Sequence, residues 1–328
     1  MSAWGVAMLA PFAICVVIIG MLRRATWTRR LADLPNHRSL HERPTPRIGG
    51  IAIVLSAVPI AWVLASGDLQ WTWALALGLA LLSFVDDLRS LPIKVRLSAH
   101  FAAAGVAVAT LAPGLWEAQG LFAATIVVFA IAWMTNLYNF MDGADGLAGG
   151  MAVIGFGAYA IAANSAGDLS IALGSLVLAS SALAFLLFNF PPARVFMGDA
   201  GSVPMGFLAG ALGLRGAVDG AWPPWFPFVV FAPFVVDSTM TLARRLFRGE
   251  RFWIAHRSHC YQRLVLSGWT TRRLAMNAYA VMAAGAASAL VALHEGATIQ
   301  CAILGFWSLL YIIAMLAIER RSPLDSAS

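Results

Sequence analysis

The sequence predicts an all-α integral membrane protein of about eleven transmembrane helices. Three observations lead to this fold class. Of the 328 residues, 60% are hydrophobic and only 12% charged, about half the charged share of a soluble domain. Apolar stretches of roughly the 20 residues that a bilayer crossing requires recur along the whole length. The basic residues cluster in alternate connections. The chain is therefore read as a single polytopic membrane domain over residues 1–328.

The apolar segments are 4–22, 48–66, 71–85, 97–112, 120–138, 146–163, 169–188, 203–218, 223–243, 274–293 and 297–318. The first lacks a basic flank ahead of it and runs directly into Arg23 and Arg24, so it reads as a retained helix, not a cleaved leader. With the N-terminus periplasmic and the C-terminus cytoplasmic, every Lys and Arg except Arg215 falls in cytoplasmic connections, as the positive-inside rule favours. The net charge of +6 and pI near 9.8 then reflect membrane orientation and not nucleic-acid binding. The longest connections, 23–47 and 244–273, are cytoplasmic, and function concentrates in loops. Cys15, Cys260 and Cys301 lack metal-ligand spacing and read as packing residues. Trp62, Trp71, Trp73 and Trp222, near span ends, read as interfacial anchors.

Carboxylates are costly in a bilayer, so acids at span ends mark candidate sites. Asp68, Glu117, Asp168, Asp219 and Glu295 lie in periplasmic connections and read as solvated loop residues. On the cytoplasmic side, Asp86 and Asp87 close the third span. Asp142 and Asp145 follow the fifth in Asn136-Leu-Tyr-Asn-Phe-Met-Asp-Gly-Ala-Asp-Gly-Leu147, and Asp199 follows the seventh in Phe196-Met-Gly-Asp-Ala-Gly-Ser202. Adjacent carboxylates at a low-dielectric boundary need a cation or basic neighbours. Alone, Asp86-Asp87 would read as solvated acids beside Arg89. The Gly-rich turns change that reading, because they let backbone amides approach an anion and each opens a helix whose N-terminus favours phosphate. Together they point to a metal and pyrophosphate site, with Mg²⁺ the natural ion for oxygen ligands and substrate phosphates.

The first cytoplasmic loop, from Asn36 to Gly50, carries arginines suited to phosphate or to anionic lipid, and Pro44 and Pro46 keep it from forming a regular helix. In the last large loop, His256-Arg-Ser-His259 would place both imidazoles on one helix face. With only Cys260 nearby as a further soft ligand, phosphate contact is favoured over zinc. Asp237 lies inside the ninth span, where pairing with a basic group accounts for it.

In this order, from Asn36 to Arg263, the residues resemble the WecA/MraY superfamily of polyprenyl-phosphate N-acetylhexosamine-1-phosphate transferases, glycosyltransferase family 4. The motifs are Asp86-Asp87, Asn136-x-x-Asn139-x-x-Asp142-Gly-x-Asp145-Gly-Leu, Phe196-Met-Gly-Asp199-x-Gly-Ser and the His256-Arg-Ser-His259 loop. The resemblance implies transfer of a sugar 1-phosphate from a UDP-N-acetylhexosamine to undecaprenyl phosphate, with release of UMP, on the cytoplasmic face of a bacterial inner membrane. It implies Mg²⁺, with Mn²⁺ as a substitute, ligated by Asn139 and Asp199. Asp86 and Asp87 would organise or activate the acceptor. Asp142 and Asp145 would lie at the nucleotide end with Phe196 beside the base, and Lys94, Arg96, His256, Arg257 and His259 would contact the pyrophosphate. A homodimer is compatible with it.

His256-Arg-Ser-His259 stands where the MurNAc-pentapeptide enzymes carry a triple-histidine segment, so the chain looks closer to initiators of O-antigen and other surface polysaccharides. The competing readings are a MraY-like phospho-MurNAc-pentapeptide transferase, a transporter and an inactive scaffold. A transporter would carry acids or broken helices at the bilayer midplane, and a scaffold would have lost motif residues.

Overall fold

The computed structural model describes residues 2–35, 40, 44–118, 120–250 and 256–321. Arg38 and Arg43, among the first-loop arginines considered for phosphate or lipid, lie outside the described residues. Each apolar segment of the sequence is helical, because in lipid a backbone must satisfy its own hydrogen bonds. In chain order these helices begin with α1 (Ala3–Leu22), α2 (Gly49–Leu64), α3 (Leu69–Arg89) and α4 (Ile93–Leu111). After the short α5 (Gly114–Ala118) come α6 (Gly120–Phe140), α7 (Leu147–Ser165), α8 (Leu169–Asn189) and α9 (Asp199–Val218). The series ends with α10 (Trp225–Val230), α11 (Ala232–Phe247), the short α12 (Cys260–Leu266), α13 (Thr271–Ala292) and α14 (Ala297–Arg321). Among the described residues α1, α3, α6, α7, α8, α13 and α14 are long and apolar enough to cross a membrane. The chain is a polytopic membrane protein.

Between α1 and α2 the chain makes a 3₁₀ turn and a two-residue antiparallel ladder, β1 (Ala32–Asp33) on β2 (Thr45–Pro46), with Asp33 opposite Thr45. The ninth apolar segment, expected as one helix, is divided into α10 and α11. Pro233 has no N–H to continue the ladder and its ring crowds the preceding turn. α11 starts afresh from the Phe231 carbonyl, which accepts from the amides of Phe234 and Val235.

Small residues set the packing, as they do where lipid supplies no hydrophobic drive between helices. α7 lies along α8, which also carries α1 and α2, while α9 runs between α3 and α6. Ser202, Gly206 and Gly210 share one face of α9 toward α6. A Cβ on Gly206 would come within 2.7 Å of both the Met134 carbonyl and the Tyr138 side chain. At its first turn α9 meets α2 backbone to backbone through Gly50 and Gly201, where a Cβ on either residue would overlap the other's main chain.

Two of the four expected interfacial tryptophans are core residues instead. Trp62 and Trp71 are exposed, but Trp73 fills the space over Gly174, and Trp222 donates from Nε1 to the Gly213 carbonyl at 3.0 Å while stacking on Tyr159. Cys15 and Cys260 are buried, and Cys301 is exposed on α14.

The Gly50–Gly201 contact predicts that Gly201→Ala destabilises the protein by about 1–3 kcal/mol, the cost of overpacking. Gly78→Ala, with open space around its Cβ position, should be neutral or stabilising by up to about 1 kcal/mol. Thermal unfolding in detergent checks both, and equal melting of the two variants would contradict the packing.

Candidate active site

Asp86 and Asp87 end α3 but serve different neighbours, because successive residues of a helix point in different directions. Asp86 is buried, accepting from the Leu91 amide at 2.6 Å through Oδ1 and from Arg96 Nη1 at 2.9 Å through Oδ2. It braces the turn into α4. Asp87 faces α9, accepting a long bond from the Ala200 amide at 3.4 Å, and stands 3.7 Å from Arg47 Nη1. The positive end of the α9 dipole favours a carboxylate there.

Arg47 follows β2 directly. Its guanidinium pairs with Asp33 at 2.7 Å, and its backbone bridges in parallel to Phe196. The Phe196 amide donates to the Pro46 carbonyl, and the amides of Gly49 and Gly50 donate to the carbonyls of Phe196 and Met197. These bonds stitch the first loop to the segment that opens α9.

At the end of α6, Asn139 Oδ1 accepts from Ser202 Oγ at 2.7 Å, and Asn139 also hydrogen-bonds Asp199. Asp142 accepts the Gly198 amide, and burial, reinforced by the charge of Asp199, holds its carboxyl well above the usual carboxylate range. Asp145 accepts the Ala193 amide at 3.0 Å. Asn189 ties the same turn down, accepting from the Gly146 amide at 2.9 Å and donating to the Val195 carbonyl at 2.9 Å. Arg96 Nη1 also lies 3.8 Å from Asp199.

These residues surround a cavity of about 260 Å³ whose wall includes Arg47, Asn139, Asp142, Asp145, Phe196 and Asp199. The structure thus gathers Asp86, Asp87, Arg96, Asn139, Asp142, Asp145, Phe196 and Asp199 in one place. Asp33, Asn189, Tyr261 and Gln262 also line the cavity and were not singled out from sequence, whereas Arg47 is one of the first-loop arginines suited to phosphate.

The late loop reaches this cavity indirectly. His259 packs toward Phe140 with ring centroids 6.1 Å apart, and His256 lies 5.0 Å from His259, but neither ring lines the cavity. Burial, with His259 and Arg245 nearby, pushes His256 down to about 4, so it is neutral at pH 7. Lys94 and Arg257 are exposed and lie outside the cavity wall.

Tyr261 and Gln262 enter the cavity from α12, and Asp237 puts them there. Its carboxylate accepts the amides of Cys260 and Tyr261 at 2.8 and 3.1 Å and the Thr241 hydroxyl at 3.1 Å, with His259 Nδ1 at 3.4 Å. Asp237, expected to pair with a basic group, stands beside the His259 imidazole and also caps a helix. Tyr261 then donates to the Phe140 carbonyl at 3.0 Å and lies over Gly143.

The family model described as glycosyl transferase family 4 matches residues 69–217. A Bacillus subtilis (strain 168) protein named as a probable undecaprenyl-phosphate N-acetylglucosaminyl 1-phosphate transferase is 31% identical over 329 residues, covering 95% of this chain and 89% of that protein. The chain belongs to glycosyl transferase family 4. A Yersinia pestis undecaprenyl-phosphate alpha-N-acetylglucosaminyl 1-phosphate transferase is 29% identical, over 80% of this chain and 77% of its own. A Geobacillus thermodenitrificans phospho-N-acetylmuramoyl-pentapeptide-transferase is 27% identical, over 84% and 93%. The family match spans the acidic clusters and Arg96, whereas Arg47 and the late loop lie beyond it.

The family implies a divalent ion, and the donor set fits one. Among the described residues, Asp86, Asp87, Asp142 and Asp199 act on one another electrostatically with Arg47 and Arg96 as basic partners, an excess of negative charge when all are ionised. Among the described residues no three His, Cys, Asp or Glu side chains form a protein cage. Mg²⁺ does not require one, being held by one or two carboxylates with waters and phosphates.

Asp237→Asn should lower stability by about 1.5–3 kcal/mol, the worth of hydrogen bonds to a charged group. Hydrogen exchange should accelerate at the amides of Cys260 and Tyr261 and stay slow in α6 and α9. Unchanged exchange at those two amides would sink the capping role.

Proposed function

We propose that this chain transfers an N-acetylhexosamine 1-phosphate from a UDP-sugar to undecaprenyl phosphate, forming undecaprenyl-diphosphate-sugar and UMP. The observation that carries the proposal is the linked cluster of Asp86, Asp87, Asp142, Asp199, Asn139, Arg47 and Arg96, part of it in the wall of one cavity and the rest packed behind that wall. The activities for which the Bacillus and Yersinia relatives are named support this choice of substrates. The proposed setting is a bacterial inner membrane, crossed eleven times by one domain, with the N-terminus periplasmic and the cavity cytoplasmic. The basic residues favour this orientation. The product would begin O-antigen or another surface polysaccharide.

Phosphoryl transfer depends on positioning and charge neutralisation more than on covalent help from protein. Asn139 and Asp199 would hold Mg²⁺, which when bound neutralises charge on the transferred phosphoryl group. Asp86 holds Arg96 toward Asp199, so the guanidinium is aimed at the same oxygens. Arg47, anchored by Asp33, supplies a second cation from the cavity wall. Asp87 orients the acceptor. A phosphate monoester has a second pKa of about 6, so the lipid phosphate is largely dianionic at neutral pH and attacks the sugar-linked phosphorus without needing a strong base. Asp142, Asp145 and Phe196 hold the nucleotide end, and Tyr261 and Gln262 close the wall. The family pattern would assign Lys94, His256, Arg257 and His259 to the pyrophosphate, although none of them lines the cavity.

A MurNAc-pentapeptide donor is the second reading, favoured by relatives of that name at similar coverage. UMP release from purified protein with undecaprenyl phosphate, Mg²⁺ and either UDP-N-acetylhexosamines or UDP-MurNAc-pentapeptide separates the two. The expected result is lipid-dependent, EDTA-sensitive UMP from an N-acetylhexosamine donor. Asp199→Asn should lower it by about 10²–10³ with folding intact. Folded protein that releases no UMP from any donor overturns the proposal.

A further inference from the structure

Asn136 opens the motif that supplies Asn139, Asp142 and Asp145, but it lies outside the cavity wall. Its side chain meets α4 instead. Asn136 Nδ2 donates to the Ala132 carbonyl at 2.7 Å, and its Oδ1 lies 3.2 Å from Nδ1 of His100, a buried residue. A carbonyl only accepts, so the Ala132 bond fixes which way the amide is turned and leaves Oδ1 toward the imidazole. His100 Nδ1 therefore carries the proton and donates it to Asn136.

Polar side chains between membrane helices commonly act as glue, and this bond does join α4 to α6. Its place on the two helices gives it a second consequence. His100 stands four residues after Arg96 on α4, and Asn136 three before Asn139 on α6, spacings that keep each pair on one helix face. Arg96 Nη1 lies 3.8 Å from Asp199, and Asn139 hydrogen-bonds the same carboxyl group. The two helices are thus tied twice, once through Asp199 of α9 and once, about a turn away, through His100 and Asn136. His100 is also within electrostatic reach of Arg96 and Asp86.

We infer that His100 is a positioning residue: by donating to Asn136 it holds α4 against α6 at the separation that lets Arg96 and Asn139 meet at Asp199. Its effect on turnover rests on the transferase reading above, while its effect on Arg96 does not. Neither His100 nor Asn136 lines the cavity, so the pair bears on the phosphoryl step through Arg96 and leaves donor binding to the cavity wall.

The test compares His100→Leu, which keeps the bulk and loses the donor, with His100→Asn, whose Nδ2 falls where Nδ1 stands. The Arg96 guanidinium is followed by NMR of protein labelled with ¹⁵N at its arginine side chains and assigned with Arg96→Lys. Its signal should shift in His100→Leu and return toward the wild-type position in His100→Asn. In transfer from a UDP-N-acetylhexosamine to undecaprenyl phosphate, His100→Leu should lower kcat by about 10- to 100-fold with the donor KM changed by about twofold or less. His100→Asn should recover most of that loss. Added to Arg96→Lys, His100→Leu should cost little more, since residues that act through one another are not additive. Asn136→Ala cuts the same bond from the half-buried side and repeats the comparison if His100→Leu does not fold. An Arg96 signal unmoved by either variant overturns the inference whatever the turnover. A moved signal with unchanged kcat also overturns it, because the bond is then glue alone. A moved signal that His100→Asn restores, in protein that releases no UMP from any donor, supports the placement of Arg96 by His100 and overturns the transferase reading instead.

Discussion

Where Gly50 meets Gly201, the first turns of α2 and α9 touch backbone to backbone, and the rest of the cavity is arranged around that contact. The amides of Gly49 and Gly50 bond the strand-like segment before α9, which fixes the height of Asp199 relative to Arg47. Four and eight residues further along α9 from Ser202, Gly206 and Gly210 let α6 approach as closely. Asn139 is thereby placed opposite Ser202. Small residues along α9 thus position three acidic segments that are far apart in sequence, and the precision comes from contact of main chains, which cannot adjust as flexible side chains do.

The charge in the cavity follows from that packing. Asp87 and Asp142 each accept an amide from the segment leading into α9, so backbone dipoles bear part of the repulsion among the carboxylates. Arg47 and Arg96 bear another part. The remaining imbalance is what a divalent ion and a diphosphate would exploit together, since each alone would disturb the balance that the other restores. This reasoning also separates Asp86 from Asp87, whose adjacent positions in sequence hide different duties. One fixes a turn and a guanidinium, and the other faces Arg47 and the first turn of α9.

The helices and their acidic ends were legible in the sequence because lipid imposes a length and a polarity on every crossing, and because glycine-flanked aspartates stand out against an apolar background. Other features had no such signal. Trp73 and Trp222 sit near span ends as anchors do, yet Gly174 and Gly216 open spaces that accept them into the core, and that complementarity lies elsewhere in the chain. Pro233 announced a break, but an apolar run of 21 residues over 223–243 masked it. Arg47 looked like one topogenic arginine among several, since its pairing with Asp33 depends on a two-residue ladder too short to show periodicity. Asp237 was visible as a costly intramembrane acid; its partners, the amides of Cys260 and Tyr261, are backbone groups that no side-chain pattern reveals.

α12 carries the last of these consequences. A helix of seven residues has little stability of its own and takes its position from its contacts. Asp237 holds its amides and Tyr261 presses on the Phe140 carbonyl, while Arg263, one residue past the cavity-lining Gln262, looks away toward α14. Any force that draws Arg263 toward or away from Ile318 and Glu319 therefore acts on a short rigid body whose other face is part of the cavity wall. Because the N-terminal amides of α12 are already committed to Asp237, the helix has more freedom to pivot about that carboxylate than to translate. The Asp237 carboxylate and the Phe140 carbonyl thus fix where Tyr261 and Gln262 stand in the cavity wall.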